Sequence, residues 1–369
     1  MPGKLSLEDI HVGAQMETTF WANPVKESGY RYRAKHLDGR RAPKVVLSDD
    51  GRIRVGVPCI IRIKSIQNAK RADHGLIEAE FVRVQDFRLE GVYLNPIVSK
   101  KLQILLENGM NILLDGPQGC GKTVTARAIA EALGMDFVFF NCSAVVEPTD
   151  FLATIQVRAS ESGQPVTDFV KTEFLLALES ADGQPDRHFL IFLDEFNRCQ
   201  ESARNALMPA LDATRRIFNP VTNAFLQIPE NVQFIAAVNR GSEFSATFGI
   251  DAAQLDRFAP LQMDYPPVEE EVKLLLRRHP ELSEKLVKTI VEIADKIRSS
   301  PELSSGLSVR ATDEACMFLK HPLMEGDQKR MLPEILKTSF CARFAGRWND
   351  STTDGGVVWE IIEKTLGAP

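Results

Sequence analysis

One short segment constrains the fold more than any other part of the chain. Residues 116–123 read GPQGCGKT, after the apolar run MNILLD and ahead of the helix-like segment TARAIAEAL. A Gly-rich loop between a buried strand and a helix binds phosphate groups, because backbone N–H groups and the helix N-terminus point at the anion. In such a loop Lys122 places its charge beside the β- and γ-phosphates, and Thr123 offers a hydroxyl to Mg²⁺. The motif therefore predicts a nucleoside triphosphate site rather than a chance Gly-rich turn.

The predicted nucleotide contacts are the whole loop and the residue after it. They are Gly116, Pro117, Gln118, Gly119, Cys120, Gly121, Lys122, Thr123 and Val124.

The bulk composition is typical of a globular protein of two or three domains. The chain has 369 residues, of which 44% are hydrophobic and 25% are charged. Apolar runs stay below the roughly 18 residues of a membrane-spanning helix, and the start MPGKLSLEDI lacks the pattern of a secretory signal. The 6 cysteines are scattered without a C-x-x-C pair, which indicates reduced thiols rather than a disulfide frame or zinc site. We therefore expect a cytoplasmic protein without membrane contact.

Charge is unevenly distributed along the chain. Residues 1–95 hold 16 Lys and Arg against 12 Asp and Glu, a net charge of +4. The whole chain carries −6, so the remaining residues carry −10. Between residues 30 and 71 there are 12 basic residues and 3 acidic ones. This asymmetry predicts a separate partner for the N-terminal region.

Residues 1–92 have the pattern of a small all-β domain. Short β-rich runs near 11–21, 29–36, 44–47, 53–66 and 76–84 are separated by turn signals such as Asp38-Gly39 and His74-Gly75. About five strands suit a small barrel, either OB-like or SH3-like.

A basic run within this β unit has two interpretations. The run RYRAKHLDGRRAPK mixes positive charge with Tyr30, Tyr32 and His36. On a barrel, this pattern could bind single-stranded nucleic acid through residues 30–71, with the aromatic rings stacking on bases. It is also typical of a solvated edge strand protected by its charges.

From residue 97 the pattern changes to alternating helices and strands, which predicts an α/β fold with a parallel sheet. A hinge at 91–96 separates it from the β unit. The predicted strands are 111–115, 136–141, 188–193 and 232–238, and the predicted helices are 97–108, 122–133 and 200–212. From Pro266 the chain becomes helical and charged, with predicted helices at 268–279, 281–299, 308–320 and 331–345. We predict an α/β core at 97–265 with an insertion at 150–182, then a helical lid at 266–369.

Two acidic residues end the apolar strand HFLIFL. Asp194 and Glu195 follow it directly, at a strand end that lies near the phosphate loop in a parallel sheet. Asp194 could hold the Mg²⁺ shell, and Glu195 could orient and polarise the attacking water. Alone, the pair is also compatible with an exposed acidic turn; after a complete phosphate loop it favours catalysis.

Three more residues are candidates for the same site. Asn239 ends the buried strand VQFIAAV, where an amide could contact the γ-phosphate or the water, or simply terminate the strand. Arg257 precedes a Phe in AAQLDRFAPLQ and could stabilise the γ-phosphate of a neighbouring subunit, or form a surface ion pair. Arg310 opens a lid helix from which it could reach the nucleotide.

Four segments, taken in this order, resemble the motifs of AAA+ ATPases of the MoxR-like or dynein-related branch. They are GPQGCGKT, LIFLDEFNR, AAVNR and AQLDRF. DEFNR followed by ARNALMPALDATR is close to the MoxR pattern. That branch also has a hairpin just before the strand that ends in its first sensor residue. The segment RRIFNPVTNAFLQIPENVQFIAAVN is similar to it. The resemblance covers about residues 97–345.

The resemblance implies a P-loop AAA+ core that forms a ring, as a homo-hexamer, with ATP and Mg²⁺ between subunits. It matches Asp194 and Glu195 to the Walker B pair and Asn239 to the first sensor. It matches Arg257 to the finger that acts in trans and Arg310 to the second sensor. Arg198 matches the arginine of the family's Asp-Glu-hydrophobic-Asn-Arg run and could also act across the interface.

The sequence departs from the family pattern in two places. Arg240 follows the sensor Asn where many relatives carry a small or different polar residue. The insertion at 150–182 fits the family's helix-two insert only loosely. In relatives that segment faces the central channel, so we expect it to contact the substrate.

Two functions of different classes follow. The first is a MoxR-like chaperone that couples ATP hydrolysis to the remodelling of a protein client, beside a von Willebrand factor A protein as in relatives. The second is a nucleic-acid motor resembling the McrB restriction subunit, whose β domain grips DNA or RNA. A third is a nucleotide-gated scaffold with slow hydrolysis. The motifs do not set the choice between ATP and GTP.

Overall fold

The computed structural model describes residues 11–22, 32–34, 44–47, 58–67, 76–84, 89–159, 165–184, 187–239, 251–303 and 305–367. Tyr30, His36 and Arg240, which the sequence singled out, lie outside these residues.

Five strands near the N-terminus form a closed barrel. They are β1 (Gln15–Ala22), β2 (Tyr32–Ala34), β3 (Lys44–Leu47), β4 (Pro58–Gln67) and β5 (Leu76–Val84). Their order is β1-β2-β3-β5-β4, with β3 and β5 parallel and the other neighbours antiparallel. Along β4, Ile61 and Ile63 are buried while Arg62 and Lys64 are exposed, as the two-residue period of a strand requires. A barrel of five strands fits the OB-like alternative.

The α/β core follows the barrel. Its elements are α1 (Pro96–Glu107), β6 (Ile112–Asp115), α2 (Lys122–Ala132), β7 (Asp136–Asn141), β8 (Ala153–Ala159), β9 (Pro165–Lys171), α3 (Glu173–Gly183), β10 (Phe189–Asp194), α4 (Glu201–Leu211), β11 (Arg216–Asn219), β12 (Ala224–Gln227), β13 (Val232–Val238), α5 (Ala252–Leu255) and β14 (Ala259–Gln262).

Five of these strands form the central sheet, in the order β14-β6-β13-β10-β7, and every pair is parallel. Helices cover both faces. Leu190 and Phe192 of β10 pack in one core with α1 and α2, whereas Ile191 and Leu193 pack in a second core with α3 and α4. Strands buried on both faces read as continuous apolar runs, which is why the sequence predicted them. The parallel sheet confirms the predicted fold class.

Two antiparallel hairpins, β8–β9 and β11–β12, are separate from this sheet. The first accounts for only part of the predicted insertion at 150–182, because α3 within the same span buries Phe174 and Leu178 against the sheet. An amphipathic helix that covers a sheet face is part of the core rather than an excursion from it.

The C-terminal region is helical, as predicted. It contains α6 (Val268–Arg278), α7 (Glu284–Arg298), α8 (Val309–Leu319), α9 (Gln328–Ser339) and α10 (Asp354–Leu366). A buried ion pair ties three of these helices together: Arg298 donates to the Glu271 carboxylate at 2.5 and 3.1 Å, and Thr312 Oγ1 donates to the same carboxylate at 2.6 Å. Because both charges are buried and multiply hydrogen-bonded, this contact fixes how the lid helices meet.

Two further properties complete the fold. All six cysteines are buried as free thiols. Within the described ranges, we find no helix with both the length and the apolar content needed to cross a bilayer.

Candidate nucleotide-binding site

The phosphate loop connects β6 to α2, as its motif predicts. Lys122 begins α2 and is buried, and its Nζ donates to the backbone oxygens of Gly116 at 2.7 Å and Pro117 at 2.8 Å. The ammonium group therefore lies within the loop that it would serve. Burial lowers the pKa of Lys122, against the opposing effect of Asp194 and Asp115. An anion placed in the loop would supply the counter-charge that this buried cation lacks.

The sheet order explains why distant residues meet at this loop. β13 lies between β6, which leads into the loop, and β10, which ends at Asp194. Since parallel strands end at the same edge of a sheet, Asn239 after β13 lies beside Asp194 and the loop. A cleft at this edge is lined by residues 118–124 together with Asp194, Glu195, Asn239 and Arg310. The structure thus brings together most of the predicted site residues; Gly116 and Pro117 line an adjacent cavity.

The predicted metal ligands are close to each other. Thr123 Oγ1 lies 3.4 Å from Asp194 Oδ2, and both side chains line the cleft. Burial raises the pKa of Asp194, and a cation bound there would favour its charged form. The described residues contain no cluster of three or more His, Cys, Asp or Glu side chains that could hold a metal ion. One hydroxyl and one carboxylate fit Mg²⁺, which is usually bound by one or two protein oxygens together with phosphate and water.

Glu195 adopts a backbone conformation that is uncommon for a residue with a side chain. Its φ and ψ are 52° and 40°, in the left-handed region. Its N–H donates to Asp194 Oδ1 at 3.0 Å, and its carboxylate lies 3.5 Å from Arg198 Nη1. Strained non-Gly residues cluster at functional sites, where the surrounding structure holds them. Both carboxylates line the cleft.

The lid and the linker form the other side of the cleft. Arg310, at the start of α8, lies close enough to Lys122 to lower its pKa further. The same wall includes residues 91–93, Arg278 and Asp313. Arg278 Nη1 lies 3.3 Å from Asp313 Oδ2, so this ion pair joins α6 to α8 at the cleft. No sequence motif marks these residues, and the hinge signal at 91–96 is the one local indication of any of them.

Arg257 is the predicted site residue that the structure places elsewhere. Its Nη1 donates to the Ala253 backbone oxygen at 2.5 Å, and its Nη2 lies 4.0 Å from Asp212 Oδ2. Its Nε is buried and has no hydrogen-bond partner among the described residues. The next residue, Phe258, packs edge-to-face on Phe196 with ring centroids 5.6 Å apart. Arg257 is thus anchored beside the turn that carries Glu195 but belongs to a different surface.

The loop and the lid touch at Gly119, which leads to a testable expectation. Gly119 has a φ of +72°, and a Cβ added there would lie 2.2 Å from the Ser308 Cβ at the start of the lid helix α8. Gly119→Ala should therefore displace either the loop or the lid, and we expect the affinity for ATP to fall at least about tenfold, measured with a fluorescent ATP analogue.

Gly109→Ala is the matched control for this substitution. Gly109 also has a positive φ, +64°, but a Cβ added there would meet nothing within 4 Å. It introduces the backbone strain of about 1–2 kcal/mol without the clash. Equal ATP affinities for the two variants would show that the loop–lid contact does not matter for binding.

The part of the chain that forms the sheet side of this site is similar in sequence to a known family. Residues 111–258 match the model of the AAA domain, dynein-related subfamily. An uncharacterized protein of Staphylococcus saprophyticus is 27% identical over 163 residues, which cover 44% of this chain and 59% of that protein. An uncharacterized protein of Staphylococcus aureus strain USA300 is 23% identical over 237 residues, covering 63% of this chain and 87% of that protein.

A solved structure, the Thermotoga maritima RuvB Holliday junction branch migration motor, aligns with a TM-score of 0.43 at 18% identity. The alignment covers 66% of this chain and 69% of that one. The match at 111–258 begins just before β6 and ends at Phe258, so it contains the phosphate loop, Asp194, Glu195, Asn239 and Arg257. Within residues 111–258, the chain is therefore similar to the AAA domains of the dynein-related subfamily.

Proposed function

We propose that this chain is a MoxR-like ATPase that hydrolyses ATP with Mg²⁺, assembles into a homo-oligomeric ring and remodels a protein client or complex. One observation carries the proposal. Lys122, the Thr123–Asp194 pair, Glu195 and Asn239 meet in one cleft, whereas Arg257 lies on another surface of the same domain. An arginine outside the cleft of its own chain can complete the site of a neighbouring copy, as an arginine finger supplied in trans does.

Each residue has a distinct role in this proposal. Lys122 and the loop N–H groups hold the phosphates, and Thr123 with Asp194 would hold Mg²⁺, which neutralises charge on the phosphate oxygens. Glu195 accepts a proton from the attacking water, and Asn239 orients that water or the γ-phosphate. Arg310 reaches the nucleotide from the lid. Burial raises the pKa of the Cys120 thiol, which keeps it protonated and suits a small packing residue of the loop.

The domain organisation remains part of the proposal. We assign residues 1–92 to a β domain, 97–265 to the nucleotide-binding core and 266–369 to the lid. A hexameric ring, a von Willebrand factor A partner and a cytoplasmic location extend the same family resemblance. The client would contact the hairpins β8–β9 and β11–β12. The second hairpin presents Phe218 and Phe225, which are 43% and 59% exposed and stack edge-to-face at 5.4 Å.

Glu195→Gln tests the catalytic role at the centre of this proposal. The substitution keeps the shape of the side chain but removes its ability to accept a proton. We expect ATP to bind normally, turnover to fall about a hundredfold or more, and ATP to remain bound after gel filtration. ATP retention and oligomer size would be measured together, because trapped ATP should stabilise the ring.

The control is Glu201→Gln in the first turn of α4, which removes an exposed carboxylate six residues away. It should leave turnover unchanged. Normal turnover in the Glu195 variant would reject Glu195 as the base and, with it, the proposed mechanism.

A second candidate function rests on the N-terminal barrel. A barrel of five strands fits the OB-like alternative, a fold used to grip oligonucleotides. In this reading the basic region at 30–71 would hold DNA or RNA for a McrB-like motor. A gel shift with single- and double-stranded DNA and RNA separates the two candidates, and binding that weakens steeply with salt would favour the motor.

A further inference from the structure

The turn that carries Glu195 also contacts the strand that carries Asn239. Residues 196–198 form one turn of 3₁₀ helix, in which the Arg198 backbone N–H donates to the Glu195 backbone oxygen at 2.8 Å. The left-handed conformation of Glu195 directs the chain away from β10 at this point. As a result Asn197, in the middle of the turn, is buried against the end of β13 and is only 6% exposed.

Asn197 makes one specific hydrogen bond there. Its side-chain Nδ2 donates to the backbone oxygen of Asn239 at 2.8 Å, and both residues are buried. A carbonyl oxygen can only accept, so the atom facing it must be the amide nitrogen and an aspartate could not replace it. The Oδ1 atom of Asn197 is buried without a hydrogen-bond partner among the described residues. The contact with Asn239 is therefore what this side chain provides.

The contact with Asn197 lies where the sheet pairing of β13 ends. β13 pairs with β6 up to Val238, opposite Asp115, and with β10 only up to Ala236. Asn239 follows the last paired residue and still lines the cleft. A hydrogen bond to this backbone oxygen restricts the main chain next to the Asn239 Cα, and so limits the positions that the side chain can take.

We infer that Asn197 is a positioning residue for hydrolysis: it fixes the main chain of Asn239 so that the Asn239 amide faces the γ-phosphate position. Asn197 itself does not contact the nucleotide. The inference rests on the proposed function, since it requires Asn239 to act on the phosphate or the water. Small displacements of a catalytic group have large costs, so a bond one residue removed from the chemistry can still control the rate.

The test is Asn197→Ala with ATP affinity and turnover measured separately on the full chain. Loss of one neutral hydrogen bond behind the sensor should lower kcat about 3- to 10-fold and leave the ATP dissociation constant within about twofold. If the Ala variant does not fold by circular dichroism, Asn197→Ser, which keeps a polar group in the buried position, replaces it.

Gln233→Ala is the matched control at the other end of β13. Gln233 is 3% exposed, its Nε2 donates to the Met110 backbone oxygen at 3.0 Å, and its Oε1 is also buried without a partner among the described residues. Gln233→Ala should lower the melting temperature by about as much as Asn197→Ala does, and it should leave kcat unchanged. If both variants lose kcat equally, Asn197 has only a structural role and the inference is overturned.

A double-mutant cycle with Asn239→Ala decides whether Asn197 acts through Asn239. When the Asn239 amide is already absent, Asn197→Ala should have no further effect on kcat. A full additional 3- to 10-fold loss of kcat in that background would overturn the inference. The inference would also be overturned if both Asn197 variants failed to fold while the Gln233→Ala variant folded. If the wild type shows no ATP turnover, the proposed function fails instead, so the two failures are distinguishable.

Discussion

Lys122→Ala is expected to abolish ATP binding. The Lys122 ammonium is buried inside the phosphate loop, where the backbone oxygens of Gly116 and Pro117 accept from it at 2.7 and 2.8 Å. Burial lowers the pKa of Lys122 because the charged form loses contact with water. Bound phosphate groups would offset this loss by stabilising the charged ammonium. Removing one partner of a buried, hydrogen-bonded charge pair costs about 2–5 kcal/mol, which corresponds to at least about a 30-fold loss of affinity.

The effect should be specific to the nucleotide rather than to folding. Lys101 is the control, because its Nζ donates to the Pro260 backbone oxygen at 2.7 Å, on the edge strand of the same sheet. Lys101→Ala should leave the ATP dissociation constant unchanged in titration calorimetry. An Lys122→Ala protein that binds ATP as the wild type does would refute the assignment of the loop.

The part of the fold that could be predicted from sequence is the part encoded locally. β6, β10 and β13 are continuous apolar runs because they are buried on both faces, and the loop between β6 and α2 has its own motif. β14 was missed because it has four residues, contains Pro260 and pairs only with β6.

The last helix shows a different limit. α10 begins Asp354-Gly355-Gly356, and two glycines normally argue against a helix. Here they are needed for packing, since a Cβ on Gly356 would lie 1.9 Å from the Asp350 backbone oxygen. A glycine required by a tertiary contact has the same sequence signal as one that ends a helix.

The site residues also differ in whether the local sequence could predict them. The cleft residues on the sheet side follow recognisable strands, so their motifs could be read one at a time. Arg278 and Asp313 come from two lid helices that meet only in three dimensions, and their ion pair has no sequence signature. The position of Arg257, outside the lining of its own chain's cleft, also depends on the folded structure and has no sequence signal.

Arg257→Ala is the second substitution for which we expect a large effect. Its guanidinium is held by Ala253 and Asp212, and the Phe258–Phe196 contact fixes the adjoining backbone. If the side chain stabilises the γ-phosphate of a neighbouring copy, its loss should lower turnover by about 10³-fold or more and spare ATP binding. Asp212→Asn is the control for the surface ion pair alternative. It should have little effect because the two groups are 4.0 Å apart and partly exposed, and surface pairs contribute about 0–1 kcal/mol.

Mixing two inactive variants tests whether Arg257 acts in trans. An Arg257→Ala subunit keeps Glu195, and a Glu195→Gln subunit keeps Arg257, so a mixed interface can contain one complete site. Turnover should therefore reappear on mixing and peak at intermediate ratios, while each variant alone stays inactive. If Arg257 served the cleft of its own chain, no arrangement of the two variants would combine both groups, and activity would stay absent at every ratio. Recovery is thus expected only when the arginine crosses an interface between copies.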